Sequence, residues 1–282
     1  MKKSVSTACA TIAALALTVA VAPAHATTTD NQRERPTKAA QQAGIHQMGD
    51  AYAGWRSHTD AGRASAALTR TSPTLTATKT LGIDVSAYQG NVNWSSQWGA
   101  GVRWAYTKAT EGTYYTNAYF AQQYNGSYNV GMIRGAYHFA NPGYSSATSQ
   151  ADYFVSHGGG WSRDGKTLPG MLDIEYNPYG STCYGYSKSG MVTWIKTWLN
   201  EYKRLTGRDA PIYTTTDWWS TCTGNSTAFN QTNPLWIARY ASSPGTLPGG
   251  WPYYTMWQYT SSPIDKNLFN GDITRVRALA YG

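Results

Sequence analysis

The sequence predicts an α/β fold: a shortened, irregular β/α (TIM-like) barrel with helices missing after the later strands. Two observations carry that prediction. Residues 81–282 contain eight short apolar runs of strand character, the earlier ones separated by stretches long enough for helices and the last ones too close together for any. Polar and ionisable residues also cluster at the C-terminal end of nearly every run, where barrels of this kind place their chemistry.

Taken in order, the chain opens on a leader. Lys2 and Lys3 precede an apolar run from Val5 to Val21, and "AHA" at 24–26 supplies small residues for a signal peptidase, so residues 1–26 read as a signal peptide and the protein as secreted. No later stretch reaches the ~20 apolar residues of a spanning helix. Cys9 leaves with the leader, and the remaining pair, Cys183 and Cys222, is expected to form one structural disulfide closing a loop of about 40 residues. Neither cysteine has a second Cys or His at metal-ligand spacing.

Residues 27–80 read as an extension or linker. They are rich in Thr, Ala, Gln, Arg and Ser, with large apolar residues mainly in "HQMGDAYAGW" at 46–55, where a short helix is possible, and "TRTSPTLTATKT" at 69–80 reads as extended. Composition leaves open whether this segment is a propeptide, a targeting arm or an ordered brace. Charge is modest: of the net +8, the leader carries +2, residues 27–80 carry +3 and residues 81–282 carry +3. There is no Lys/Arg stripe of the kind that binds nucleic acid.

From Leu81 the strands are placed near 81–86, 102–109, 133–139, 169–175, 211–215, 234–239, 254–259 and around Ile264. Helices fill 117–130, 146–157 and 187–206. In the last, Met191, Trp194, Ile195, Trp198, Leu199, Tyr202 and Leu205 follow helical spacing, with Gly207 as the stop. The aromatic content favours rings with a polar handle, 12 Trp and 22 Tyr against 5 Phe, which suits half-wet surfaces and polar ligands such as sugars.

At the strand ends the sequence places Asp84, Lys108 and Glu111, Tyr137 and His138, Asp173 and Glu175, Tyr213, Arg239, Gln258 and Tyr259, and finally Asp265 following the eighth strand. In "MLDIEYNP" at 171–178, Asp173 and Glu175 are two apart, so both side chains lie on one face of the strand. Crowded carboxyls cannot both ionise cheaply, so one pKa rises and that group can act as a general acid. With Asp84 and Asp265 nearby, the arrangement suits cleavage of a glycosidic bond.

The residues that carry this chemistry sit in longer motifs. "GIDVSAYQGNVNW" at 82–94, "YTKATEG" at 106–112, "RGAYHFA" at 134–140, "MLDIE" at 171–175 and "MWQYT" followed by "ID" at 264–265 resemble the glycoside hydrolase family 25 lysozymes, the Chalaropsis-type N,O-diacetylmuramidases. The resemblance runs from about Gly82 to the C-terminus. It implies hydrolysis of the β-1,4 bond between N-acetylmuramic acid and N-acetylglucosamine in peptidoglycan. By motif, Glu175 takes the acid/base role and Asp173 orients the substrate's 2-acetamido group, which serves as nucleophile with retention of configuration. Asp84 and Asp265 match the other two acids of the family's site. Tyr213 matches a hydrogen-bond donor to the acetamido group, while Tyr137, Trp257 and Tyr259 are read as substrate-binding. Tyr88 stands where His or Asn is frequent and is given no role.

Structural readings accompany the functional ones. Lys108 and Glu111 are expected to form an ion pair beneath the mouth, His138 to be a hydrogen-bonded structural residue, and Trp94, Trp98 and Trp104 to be core, leaving Trp257 and Trp236 as ligand-facing. A non-catalytic wall-binding module could have lost Glu175; a chitinase-like enzyme would share the D-x-E pair; a metal-dependent amidase would need His-rich ligation that five scattered His do not offer. The partner expected is the peptidoglycan glycan strand, bound by a monomer with no metal, cofactor, nucleic acid or membrane.

Overall fold

The computed structural model describes Met1, residues 35–56 and residues 79–282. The expected leader, except Met1, and the stretch expected to be an extended linker, except Lys79 and Thr80, lie outside these residues.

All eight expected strands are present. They are β1 (Thr80–Val85), β2 (Trp104–Glu111), β4 (Ile133–Phe139), β5 (Met171–Asp173), β6 (Ile212–Thr214), β7 (Leu235–Ala238), β8 (Met256–Thr260) and β9 (Asp265–Phe269). A two-residue strand, β3 (Tyr115–Thr116), pairs with the end of β2. Because β1 pairs with both β2 and β9, the eight main strands close into a ring. Closure leaves no free edge among them.

Every pairing around the ring is parallel except those of β9, which runs antiparallel to β1 and β8. Only residues 261–264 separate β8 from β9, too few for the crossover that a parallel neighbour demands. This reversal changes how Asp265 reaches the mouth. The sequence reading has it following the last strand; in the structure it begins that strand, opposite Asp84.

Side chains alternate between the barrel interior and an outer layer. Trp104, Tyr106, Tyr137, Met171, Tyr213, Trp236 and Met256 fill the interior, while Leu172, Ile212, Leu235, Ile237, Trp257 and Leu268 pack outward with the helices. Strand β2 is buried at all eight positions, as expected of a strand covered on both faces.

The helices are α1 (Lys38–Gln42), α2 (Trp94–Gly99), α3 (Phe120–Asn129), α4 (Ala147–Phe154), α5 (Lys188–Thr206), α6 (Thr216–Thr223) and α7 (Ile273–Tyr281). No helix follows β7 or β8. Helix α5 is capped by Ser187, whose Oγ accepts from the Gly190 N–H at 3.2 Å, and buries Met191, Trp194, Ile195, Trp198, Leu199 and Tyr202. Each such side chain contributes about 1.5–3 kcal/mol on burial. Leu205, expected on the same face, is exposed in the last turn.

The sequence reading did not place α6. Its residues, TDWWSTCT, are poor helix formers. What holds it is the Thr215 N-cap, the burial of Trp218 and Trp219, and the expected disulfide between Cys183 and Cys222, with Cα atoms 5.3 Å apart. Among the described residues no helix is long and apolar enough to cross a membrane.

Residues 35–56 are ordered against the barrel. Their complete helix is α1; the 46–55 stretch, where a short helix was expected, is turns and irregular backbone up to Gly54, with helical conformation only at Trp55 and Arg56. Ala40, Ile45, Ala51, Tyr52 and Trp55 pack into a small core with Phe139 and Tyr179.

Replacing Cys183 and Cys222 together by Ser is expected to lower the unfolding free energy by about 2–4 kcal/mol. Urea unfolding of the double variant checks this, and an unchanged midpoint would contradict it.

Candidate active site

Strand alternation builds the site. On β5, Met171 points into the barrel and Leu172 out, so Asp173 points in. The Ile174 N–H donates to Tyr213 O at 3.0 Å and keeps the chain extended past the strand, so Ile174 packs outward and Glu175 returns to the interior face. Both acids are fully buried. The two were expected side by side, and the strand parity places them so.

Asp84 and Asp265 face each other across the β1–β9 pair. Asp84 is held on both sides: Gln258 Nε2 donates to its two oxygens at 3.2 and 3.0 Å, and Asn267 Nδ2 donates at 2.6 Å. Gln258 Oε1 in turn accepts from Tyr213 at 2.7 Å and Tyr240 at 2.9 Å. Tyr240 also reaches Asp265 Oδ1 at 3.4 Å. Asn267 and Tyr240 were not singled out in the sequence. Asn267 could have been found from its position two residues beyond Asp265 on the same strand face; Tyr240 follows β7 and carries no comparable signal.

The electrostatics raise the pKa values of Asp84, Asp173 and Glu175. Burial, and then the neighbouring Glu175 charge, push the Asp173 pKa well above the usual carboxylate range, against the opposing pull of Lys108. Glu175 is also raised, chiefly by burial and further by Asp265 and Asp84, while the N–H of Gly54 opposes the rise. Burial and Asp265 raise Asp84, against the hydrogen bonds from Asn267 and Gln258. Apart from the hydrogen bond the two carboxyls share with each other, neither oxygen of Asp173, nor Oε2 of Glu175, has a hydrogen-bond partner among the described residues. Buried carboxyl oxygens without partners are costly and mark places where a ligand's polar groups can bind.

Lys108 and Glu111 form the expected buried ion pair, 2.5 Å apart. His138 is held by Thr110 Oγ1 at 2.7 Å and Gln150 Oε1 at 3.0 Å beside Trp198, and burial lowers its pKa to about 3, as suits a neutral structural residue. Trp94 and Trp104 are core; Trp98 is half-buried beneath the Arg103 guanidinium.

The aromatic assignments divide. Tyr137 and Tyr213 lie in the interior at the mouth. Trp257 and Tyr259 do not: the neighbouring Gln258 faces Asp84, so Trp257 points to the outer layer, where its indole N–H donates to Arg239 O at 2.8 Å. Tyr259 sits at an irregularity between β8 and β9 and packs beside Trp257 in that layer. Trp236 is interior but lies in the barrel floor against Trp104 and Tyr106, its indole N–H on Asn267 Oδ1 at 3.0 Å.

The mouth is covered by residues 49–55. The Gly54 N–H donates to Glu175 Oε1 at 2.6 Å and the Ala53 N–H reaches Tyr137 Oη at 3.5 Å. Lys108 Nζ donates to Gly49 O at 2.8 Å and also to Ala51 O, and the Gly49 N–H donates to Glu111 Oε1 at 3.1 Å.

A β/α barrel whose mouth gathers a buried carboxyl pair from one strand end, with further acids beside it, defines a class: the barrel glycoside hydrolases. Residues 83–268 match the profile of Glycosyl hydrolases family 25. The chain is 51% identical over 208 residues to an N,O-diacetylmuramidase of Chalaropsis sp, covering 71% of this chain and 99% of that protein. It is 48% identical over 240 residues to Lysozyme M1 of Streptomyces globisporus, covering 82% of each. That second match takes in more of this chain than the residues from Lys79 onward comprise, so it extends into the N-terminal segment. The solved muramidase from Acremonium alcalophilum superposes with a TM-score of 0.71 at 55% identity, covering 72% of this chain, about the share the barrel makes up, and 99% of that one. The chain belongs to glycosyl hydrolase family 25.

A carboxyl whose folded pKa is raised stabilises the fold fully below its ordinary pKa and loses that contribution as pH rises through the raised value. Glu175→Gln keeps the shape without the ionisation, and is expected to raise the unfolding temperature at pH 7 by roughly 2–4 °C, the effect of about 1 kcal/mol in a domain of this size. The difference from wild type should close near pH 4; calorimetry at both pH values decides.

Proposed function

We propose that the barrel is a muramidase that cleaves the β-1,4 bond between N-acetylmuramic acid and N-acetylglucosamine in peptidoglycan, with retention of configuration. The observation that carries the mechanism is the Asp173–Glu175 pair, buried on one strand face with both pKa values raised. Membership of a family whose relatives include a muramidase and lysozymes supports the substrate.

In this reading Glu175 donates its proton to the glycosidic oxygen as the bond to C1 breaks. The oxygen of the substrate's own 2-acetamido group attacks C1 and forms a cyclic oxazolinium. Asp173, which no donor outside the carboxyl pair engages among the described residues, is the ionised member of the pair in this step; it accepts the acetamido N–H and steadies the positive charge. Glu175, now ionised, removes a proton from water as that water opens the ring, which restores the acid and the starting configuration. Asp84, held by Gln258 and Asn267, and Asp265 set the negative field of the mouth. Tyr213 donates to Gln258 in this state, so a bond from Tyr213 to the acetamido group requires exchange of that partner. The leader and the disulfide support export, and the barrel is read as acting as a monomer on glycan strands, without a cofactor.

The test uses Lys79–Gly282, the part that solved relatives match over nearly their whole length. Purified peptidoglycan is digested, reduced with borohydride and analysed by mass spectrometry. Reduced muramic acid ends are expected, and Glu175→Gln should lower the rate about 10²–10⁴-fold. Reduced glucosamine ends would redirect the assignment to a glucosaminidase; no cleavage would favour a wall-binding module. Proton NMR of the first product should show the β-anomer, and the α-anomer would exclude acetamido participation.

A further inference from the structure

The N-terminal segment makes its most intimate contacts with the residues that the proposed chemistry needs. The Gly54 N–H occupies Glu175 Oε1, the side chain assigned to meet the glycosidic oxygen. Gln258, which holds Asp84, reaches Ala53 O at 3.5 Å. The Trp55 indole N–H donates to Tyr176 O at 3.0 Å, on the residue next to Glu175. A sugar ring and this strip of backbone cannot share the space.

The segment is shaped for that position. Gly54 has φ of 80°, and a Cβ there would lie 2.4 Å from Gln258 Oε1 and 2.7 Å from the hydroxyls of Tyr213 and Tyr240. Gly49 has φ of 100°, and a Cβ there would lie 2.3 Å from the Tyr115 ring. Both positions thus demand glycine for conformation and for space. Between them Ala51 and Ala53 are fully buried, as is Trp55 just beyond, so the backbone lies flat on the mouth with one large anchor.

Lys108 and Glu111, to which the proposed mechanism gives no step, explain how the segment is held. Their ion pair grips Gly49 at both its N–H and its carbonyl, and Tyr179 donates to Glu111 while accepting from the Gly49 N–H at 3.2 Å. On the other flank Tyr52 lies 5.4 Å from the ring of Tyr88. A buried Lys–Glu pair whose lysine gives both of its other hydrogen bonds to the segment is a receptor for it.

We infer that residues 49–55 are an autoinhibitory plug that keeps the full chain latent until the segment leaves the mouth, an inference that rests on the muramidase reading. The tie between Arg56 and Lys79 makes the plug an intramolecular ligand, present at a high effective concentration. Severing the chain there turns it into a dilute peptide, which leaves the glycan free to bind. The gain in rate equals the reciprocal of the fraction of open molecules in the intact chain.

The deciding comparison is the full chain against the full chain carrying Gly49→Val and Gly54→Val, changes confined to the plug. Amide exchange at residues 49–55 reports the plug, amides of β5 and β6 report the barrel, and release of reducing ends reports activity. In the wild type the amides of Gly49 and Gly54 should be protected. In the variant they should exchange freely while the barrel amides are unchanged, and the rate should rise at least about tenfold, toward that of Lys79–Gly282. Trp55→Ala, which removes the anchor, should act in the same direction. Equal rates for the intact chain and an opened variant, or free exchange at Gly49 and Gly54 in the wild type, would overturn latency and leave the muramidase standing. Failure of Lys79–Gly282 and of the opened variant alike to cut glycan would overturn both.

Discussion

Everything at the mouth follows from the cost of keeping carboxyl groups out of water. Asp84, Asp173, Glu175 and Asp265 converge on one end of a closed barrel where little solvent reaches them. A desolvated carboxylate is tolerated only if it is paired, hydrogen-bonded or protonated. The structure uses all three. Gln258 and Asn267 donate to Asp84, Lys108 acts on Asp173 from nearby, and burial pushes Asp173 and Glu175 toward their protonated forms. The same penalty that makes these acids expensive to the fold raises the pKa values of Asp173 and Glu175, the property that the proposed acid role draws on.

The N-terminal segment belongs to the same account. By giving Glu175 a backbone N–H and giving Lys108 two backbone carbonyls, it satisfies groups that the barrel leaves exposed to its own mouth. A polar cleft built to bind a sugar can equally be filled by a peptide that offers donors and acceptors in the right places. Occupation of the site and stabilisation of its buried polar groups are therefore one interaction seen from two sides.

The aromatic residues show how far strand alternation governs function. Gln258 and Trp257 are adjacent, yet one organises the acids and the other packs in the outer layer beside Tyr254 and Tyr259, because successive side chains leave opposite faces of a strand. Tyr and Trp abundance signals that rings surround a polar site, but most of the large ones are structural. Trp104, Tyr106 and Trp236 form the floor, and Trp198 and Tyr202 stack in the outer layer with rings nearly parallel at 1°.

The sequence by itself determined the strands, the missing late helices, the D-x-E pair and the disulfide, because each rests on local periodicity or on residue types that have few alternative uses. The i, i+2 spacing of Asp173 and Glu175 fixes their shared face wherever the strand lies. Only the tertiary structure decided the rest. The reversal of β9, set by a connection too short to cross over, brings Asp265 to Asp84 from the opposite chain direction and adds Asn267. The inward or outward sense of Trp257 depends on which parity of β8 faces the axis, and apolar neighbours on both faces hide that choice in the sequence. The place of residues 35–56 was illegible for a different reason. Its apolar residues at 46–55 left an ordered brace open, but its glycines and alanines become specific only against a mouth that is assembled from strands far away in the chain.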